Sequence, residues 1–229
     1  MPFTSVPPLA GDLAAAAERL RAVTVAVHAG APTRRGLRAV GQGSGVVWRA
    51  DGLVVTNAHV ARTEHAVVTL PDGRRVSAAT VARDPSRDLA LLRLDAGAHP
   101  LGALAAADAG DPSRLRPGEV VLAFGHPLGH ANALAAGVVH AAGDAGPPPW
   151  LRGRGPGRPV RVVQADVRLL PGNSGGPLAD AGGRVVGINA MVVGGLGVAV
   201  SVDEVRDLVQ AYERAHGRAR DRAAGVRAA

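Results

Sequence analysis

Pro171-Gly172-Asn173-Ser174-Gly175-Gly176-Pro177-Leu178 holds one serine among glycines, entered through Pro-Gly and left through Gly-Gly into an apolar segment. Glycine lets the backbone take φ > 0, so the amide N–H groups of Gly172 and Ser174, on either side of Asn173, can both point at one spot. A tetrahedral oxyanion formed by attack of the Ser174 hydroxyl would develop there. The octapeptide alone also reads as a Gly-rich hairpin, because tight turns draw on the same residues. What separates the two readings lies upstream.

A serine hydroxyl is a weak nucleophile unless a base takes its proton, and the base needs a third group to hold its tautomer and orientation. Gly45 to Val60 reads as two apolar runs around an Ala50-Asp51-Gly52 turn, a β-hairpin that delivers His59 just past its second strand. Asp84 to Leu94 puts Asp88 at the mouth of an apolar strand, where a carboxylate can be partly buried and still meet an imidazole. The order His59, Asp88, Ser174 is one in which serine triads are strung along a chain. Thr56-Asn57-Ala58-His59-Val60, Asp88-Leu89-Ala90-Leu91-Leu92 and Gly172-Asn173-Ser174-Gly175-Gly176-Pro177-Leu178, in that order, resemble the HtrA/Deg group of trypsin-like serine proteases. The similarity runs from about Val23 to Val205.

The resemblance implies an all-β fold of two perpendicular six-stranded antiparallel β-barrels, with short helices at the N- and C-terminal ends. It implies a serine-type endopeptidase that hydrolyses peptide bonds in unfolded or extended polypeptides. His59 would be general base and then acid, Asp88 its orienter and Ser174 the nucleophile, with Gly172, Asn173 and Ser174 forming the oxyanion-hole loop. A substrate would pair its backbone with the edge segment Asn189-Ala190-Met191 by β-augmentation. Gly125-His126-Pro127-Leu128-Gly129-His130 and Ala136 to Val139 match the family's Gly-x-Pro-x-Gly loop and following strand. No cofactor is implied.

Several departures from the family pattern matter. Asn173 stands where activatable trypsins carry an aspartate that receives a newly cut N-terminus, which argues against a zymogen. Arg168 lies six residues before Ser174, at the position that forms the base of the primary specificity pocket in trypsin-like enzymes. Pointing inward, it would favour an acidic substrate residue. Pointing to solvent, it would leave Met191, Val192 and Ala199 to shape a small apolar pocket, and the cost of an unpaired buried guanidinium favours that orientation. The loop Val192 to Gly197 is shorter than relatives usually have, and no PDZ domain follows, so PDZ-linked activation and oligomers are not implied. The aromatics through which many relatives trimerise are reduced to Phe3, which leaves an oligomer open. The alternative function is a resting or inactive protease-fold module that binds peptides without cutting them.

The chain order supports this organisation. Residues 1–22 read as an N-terminal segment with a short helix at Gly11 to Arg21, residues 23–205 as the protease domain, with barrel one about 23–105 and barrel two about 117–201. An amphipathic helix follows over 202–216 and an Arg/Ala-rich tail, expected to lack fixed structure, over 217–229. Strands are expected at Val23–Val27, Gly45–Trp48, Leu53–Thr56, Ala66–Leu70, Arg75–Ala82 and Leu89–Leu94, then at Val120–Phe124, Ala136–His140, Val160–Gln164, Arg184–Asn189 and Leu196–Val200.

Composition fits a core of Ala, Val and Leu: of 229 residues, 47% are hydrophobic but only 2% aromatic. There is no cysteine, which removes disulfides and thiol chemistry without placing the protein in either redox compartment. The formal charge of +7 comes entirely from arginine, clustered at Arg152, Arg154, Arg158 and Arg161 and again at Arg218, Arg220, Arg222 and Arg227. A nucleic-acid site is disfavoured because so few aromatics can stack on bases. His126 and His130 are separated by Pro127 and Gly129 and have no acidic or cysteine ligand beside them, so no metal is expected; His65, His99 and His140 read as surface or packing residues. Met1 to Ala10 lacks the pattern of a signal peptide and no segment has the apolar length of a membrane span, so the chain as written reads as cytoplasmic, export being the alternative if it is trimmed.

Overall fold

The computed structural model describes residues 8–33, 36–95, 97, 101–102, 104–126, 132–145 and 159–227, without the side chains of 8–11, 31–33, 36–39, 145 and 217–227. Helix α1 (Pro8–Val23) leads into β1 (Thr24–Thr33), β2 (Gly36–Arg49), β3 (Leu53–Thr56), β4 (His65–Thr69), β5 (Arg75–Asp84) and β6 (Leu89–Leu94). After a 3₁₀ turn at Pro112–Arg114 come β7 (Val120–Gly125), β8 (Ala133–Ala145), β9 (Val160–Asp166), β10 (Pro177–Asp180), β11 (Val185–Val193), β12 (Leu196–Ser201) and helix α2 (Val202–Arg227). The strands close two antiparallel barrels, in the order β1-β2-β3-β6-β5-β4 and β10-β11-β12-β9-β8-β7.

Each expected strand is present, and the sixth strand of barrel two is β10, the apolar segment that leaves the serine loop. Four residues after Gly175-Gly176 are too few for a visible alternation; pairing with β7 and β11 makes the strand. Strands β2 and β8 run longer than expected because their ends pair in extended ribbons. Helix α2 continues past His216 to Arg227 in place of the unstructured tail, consistent with the high helix propensity of Ala and Arg.

Why the strands look continuously apolar is clear from where their two faces go. In β3 and β6, Val54, Ala90 and Leu92 point into barrel one, while Leu53, Val55, Leu89 and Leu91 point out into a second core between the barrels. In β7, Val121 and Ala123 fill barrel two while Leu122 and Phe124 join that inter-barrel core. Helix α1 contributes Ala16 and Leu20 to it, and α2 contributes Val205, Leu208 and Val209. Fully burying one Leu or Val side chain is worth about 1.5–3 kcal/mol, so this shared layer fixes one barrel against the other. That fixed relation matters because the candidate chemistry is divided between them.

Candidate active site

His59 lies in the turn that follows β3, built by Asn57: its carbonyl accepts the N–H groups of Val60 (3.1 Å) and Ala61 (3.0 Å). The same buried Asn57 donates its side-chain amide to the Asp88 carbonyl at 2.9 Å, and Ala58 N–H reaches that carbonyl at 3.2 Å. The two catalytic candidates of barrel one are therefore tied together through the backbone. Asp88 is only 5% exposed and has φ +54°, a left-handed conformation that aspartate tolerates better than most side chains. Its Oδ1 accepts the His59 N–H at 3.0 Å and its Oδ2 meets His59 Nδ1 at 2.7 Å. With Nδ1–H donating to the carboxylate, Nε2 is left as the basic nitrogen.

Ser174 is held by backbone bonds that use most, but not all, of its loop's amides. Asn173 N–H donates to Leu170 O (2.9 Å), Gly175 N–H to Asn189 O (2.8 Å) and Gly176 N–H to Asn173 O (2.9 Å). Among the described residues, no acceptor meets the N–H of Gly172 or of Ser174. Asn173, grouped with them from the sequence, is thus separated from them: its amide is spent on Leu170. Gly172 has φ +104° and Gly175 φ +87°, and a Cβ on Gly175 would lie 2.0 Å from Ser44 O, so both turns demand glycine.

Barrel one approaches the serine at Gly43, where a Cβ would lie 2.7 Å from both Ser174 O and the Val60 side chain next to His59. The Ser174 hydroxyl donates to Ala190 O at 3.1 Å, and among the described residues no hydrogen bond joins it to His59. Catalytic hydrogen bonds are often long or unmade without substrate, and one rotation about Cα–Cβ redirects this hydroxyl.

Beside Ser174 is a pocket of about 210 Å³ lined by Leu169, Leu170, Pro171, Asn173, Ser174, Ala190, Met191 and Val192. Met191 and Val192 are among its walls. Arg168 is not: its side chain is exposed and outside the lining, because it alternates with Val167 and Leu169, whose side chains turn inward. Ala199 is buried in the core of barrel two. Leu169 and Leu170 take up the role of walls, and their place directly before Pro171 was the available signal. Asn189 is also withdrawn from the substrate edge. It is 1% exposed, bonds Gly175 and Gly176 through its backbone, and donates its side-chain amide to Pro177 O at 2.8 Å. The β11 pairing with β10 ends at Ile188, so Ala190, Met191 and Val192 keep one edge without a strand partner.

Elsewhere, His126 Nδ1 accepts from Asn132 N–H at 3.3 Å, while His130 lies outside the described residues, as do Arg152, Arg154, Arg158, His99 and Phe3. Among the described residues no three His, Cys, Asp or Glu side chains cluster to hold a metal ion, and no helix is long and apolar enough to cross a membrane.

The sequence profile of the trypsin-like peptidase domain matches residues 43–188, more than half of the chain. The putative serine protease HhoB of Synechocystis sp. is 34% identical over 177 residues, covering 76% of this chain and 40% of the relative. A probable periplasmic serine endoprotease DegP-like of Marinomonas sp. is 39% identical over 163 residues, covering 71% and 32%. The mitochondrial serine protease HTRA2 of Bos taurus is 37% identical over 177 residues, covering 76% and 37%. The chain thus spans two fifths or less of these relatives' length. Among solved structures, the HtrA-type protease AlgW with decapeptide matches at a TM-score of 0.71 and 28% identity, covering 88% of this chain and 67% of that one. The two closed barrels, with the matched region running from the Gly43 approach to Ile188, follow from membership in one family: the chain belongs to the trypsin-like peptidase domain family, and its relatives include HtrA and Deg serine proteases.

Proposed function

We propose that the chain is a serine endopeptidase that cuts unfolded or extended polypeptides through His59, Asp88 and Ser174. The observation that carries this reading is a pair of amides, Gly172 and Ser174, that meet no acceptor among the described residues, in a loop that barrel one approaches at Gly43 and Val60, the residue after an imidazole tied to a buried carboxylate. Rotation of the Ser174 hydroxyl from Ala190 O toward His59 Nε2 gives the base its proton as Oγ attacks the scissile carbonyl carbon. The carbonyl electron pair moves onto oxygen, where the Gly172 and Ser174 N–H groups receive it. The imidazolium, stabilised by Asp88, then returns its proton to the leaving amine, and water repeats the sequence on the acyl-enzyme.

An extended substrate would add a strand along Ala190, Met191 and Val192, presenting one side chain to the pocket between Leu169–Pro171 and Met191–Val192. At about 210 Å³ the pocket suits one aliphatic side chain rather than a large ligand. The exposed Arg168 supplies no cation inside it, so an acidic preference has no support. A second reading, a resting module that binds peptide without cutting, is favoured by one observation, the Ser174 hydroxyl bonded to Ala190 O.

Degradation of casein by the wild type and by Ser174→Ala, with cut ends read by mass spectrometry, separates them. The protease reading expects cleavage after aliphatic residues, lost in the variant. Binding of casein with no cleavage at any pH would refute it in favour of the module.

A further inference from the structure

Ser44, on β2 of barrel one, is fully buried, and its backbone N and O and its hydroxyl are all engaged. Its N–H donates to Ser174 O at 2.8 Å and its carbonyl accepts the Thr56 hydroxyl at 2.7 Å. Its own hydroxyl donates to Gly172 O at 2.7 Å and accepts the His126 N–H at 2.9 Å. One side chain of barrel one thus joins the serine loop and the end of β7, both in barrel two.

The consequence is geometric. The peptide between Gly172 and Asn173 is held at its carbonyl by Ser44 Oγ and at its N–H by Leu170 O. The peptides on either side carry the Gly172 and Ser174 N–H groups, so the angle between those donors is set by the central plane. Gly172, with φ +104° and no side chain, offers little resistance of its own to rotation.

We propose that Ser44 is a positioning residue: its hydroxyl, by holding the Gly172 carbonyl, keeps the Gly172 and Ser174 amides aimed at one oxyanion. This rests on the protease reading above. Because the Ser44 hydroxyl bonds Gly172 and His126, and among the described residues bonds neither the Leu169–Val192 pocket lining nor the edge of β11, substrate binding is unaffected and the effect falls on the transition state.

The test compares full-length wild type, Ser44→Ala and Ser44→Cys on one peptide substrate, with folding checked by thermal melting. A tripeptide aldehyde ending in leucinal, whose hemiacetal oxygen occupies the oxyanion position, reports on the amides directly. Deleting an oxyanion donor costs about 10²–10³ in kcat. Ser44→Ala misaims both donors without deleting either, so kcat falls about 10- to 100-fold with KM within about threefold. Aldehyde affinity falls by the same factor. Ser44→Cys, with a weakly donating thiol of similar size, falls between, and it carries the test if Ser44→Ala does not fold.

Wild-type kcat in a folded Ser44→Ala or Ser44→Cys overturns the assignment. So does a loss of kcat with unchanged aldehyde affinity, or one matched by a rise in KM, either of which marks general loosening. A wild type that neither cuts nor binds the aldehyde removes the protease reading itself, and the Ser44 assignment with it.

Discussion

Replacing Glu204 by alanine is expected to destabilise the protein by about 2 kcal/mol, a figure that follows from the side chain's partners. Glu204 is in the first turn of α2 and is 1% exposed. Its Oε1 accepts from Arg161 Nε at 2.9 Å and Arg161 N–H at 3.2 Å in barrel two, and its Oε2 meets Arg87 Nε at 3.3 Å in barrel one. Farther along α2, Glu213 pairs with Arg49 of β2, so the helix bridges the barrels with carboxylates at both points. Breaking a buried pair costs about 3–5 kcal/mol when the surviving charge is stranded. Here it is not stranded, because Arg161 keeps Asp207 at 2.6 Å and Arg87 keeps Asp84 at 3.2 Å. The expected loss is therefore below that range and close to that of one charge-assisted hydrogen bond, about 1.5–3 kcal/mol. Urea unfolding in a Ser174→Ala background, where self-cleavage cannot intrude, measures it; the Tm should fall by about 4–8 °C at about 2–4 °C per kcal/mol for a chain of this size. A Glu204→Ala midpoint equivalent to less than about 0.5 kcal/mol, the range of ordinary surface substitutions, would refute the reasoning that this carboxylate clasps the barrels.

Two further outcomes are expected. Arg168→Ala should leave the residues at the cut ends unchanged, since the side chain is exposed and outside the pocket; a shift away from acidic residues in the mass-spectrometric profile would put the guanidinium back in the pocket. Stability should also decline as pH falls below about 6.5, the ordinary histidine value. Burial foremost, and then Arg75, holds His28 below that value, and burial foremost, with His28 adding, does the same for His126. Unfolded chains therefore take up protons first, and stability is lost from about pH 6.5 downward to the lowered folded values and is constant above. Urea midpoints at pH 7.5 and 5.5 check this; His28→Gln should shrink the difference, and equal wild-type midpoints would contradict it.

The serine loop was legible because its requirements are local. A left-handed Gly172, a crowded Gly175 and a proline on each side are turn chemistry written in consecutive residues, and His59 and Asp88 each stand at a strand end that apolar patterning marks. Most strands could be read for the same reason, including β3 and β6 to the residue. Strand β10 could not, because four residues pair only when β7 and β11 already flank them. The pocket beside Ser174 was half visible: the family resemblance points to Met191 and Val192, but Arg168 or Leu169 as wall is a matter of which face of an irregular segment turns inward, and composition does not encode that.

The residues in order carried the three candidate catalytic residues and the glycine turn that displays the serine, and their resemblance to a known family carried the division into two barrels. Tertiary structure alone decided that the Asn173 amide is spent on Leu170, that Asn189 is a buried brace, and that α2 joins the barrels through Glu204. It also decided the Ser44 contact, a hydrogen bond between residues 128 positions apart. Turn geometry and strand periodicity are set by near neighbours, whereas hydrogen bonds in a buried interface exist only after barrel closure removes water and leaves each polar group to find a partner from a distant part of the chain.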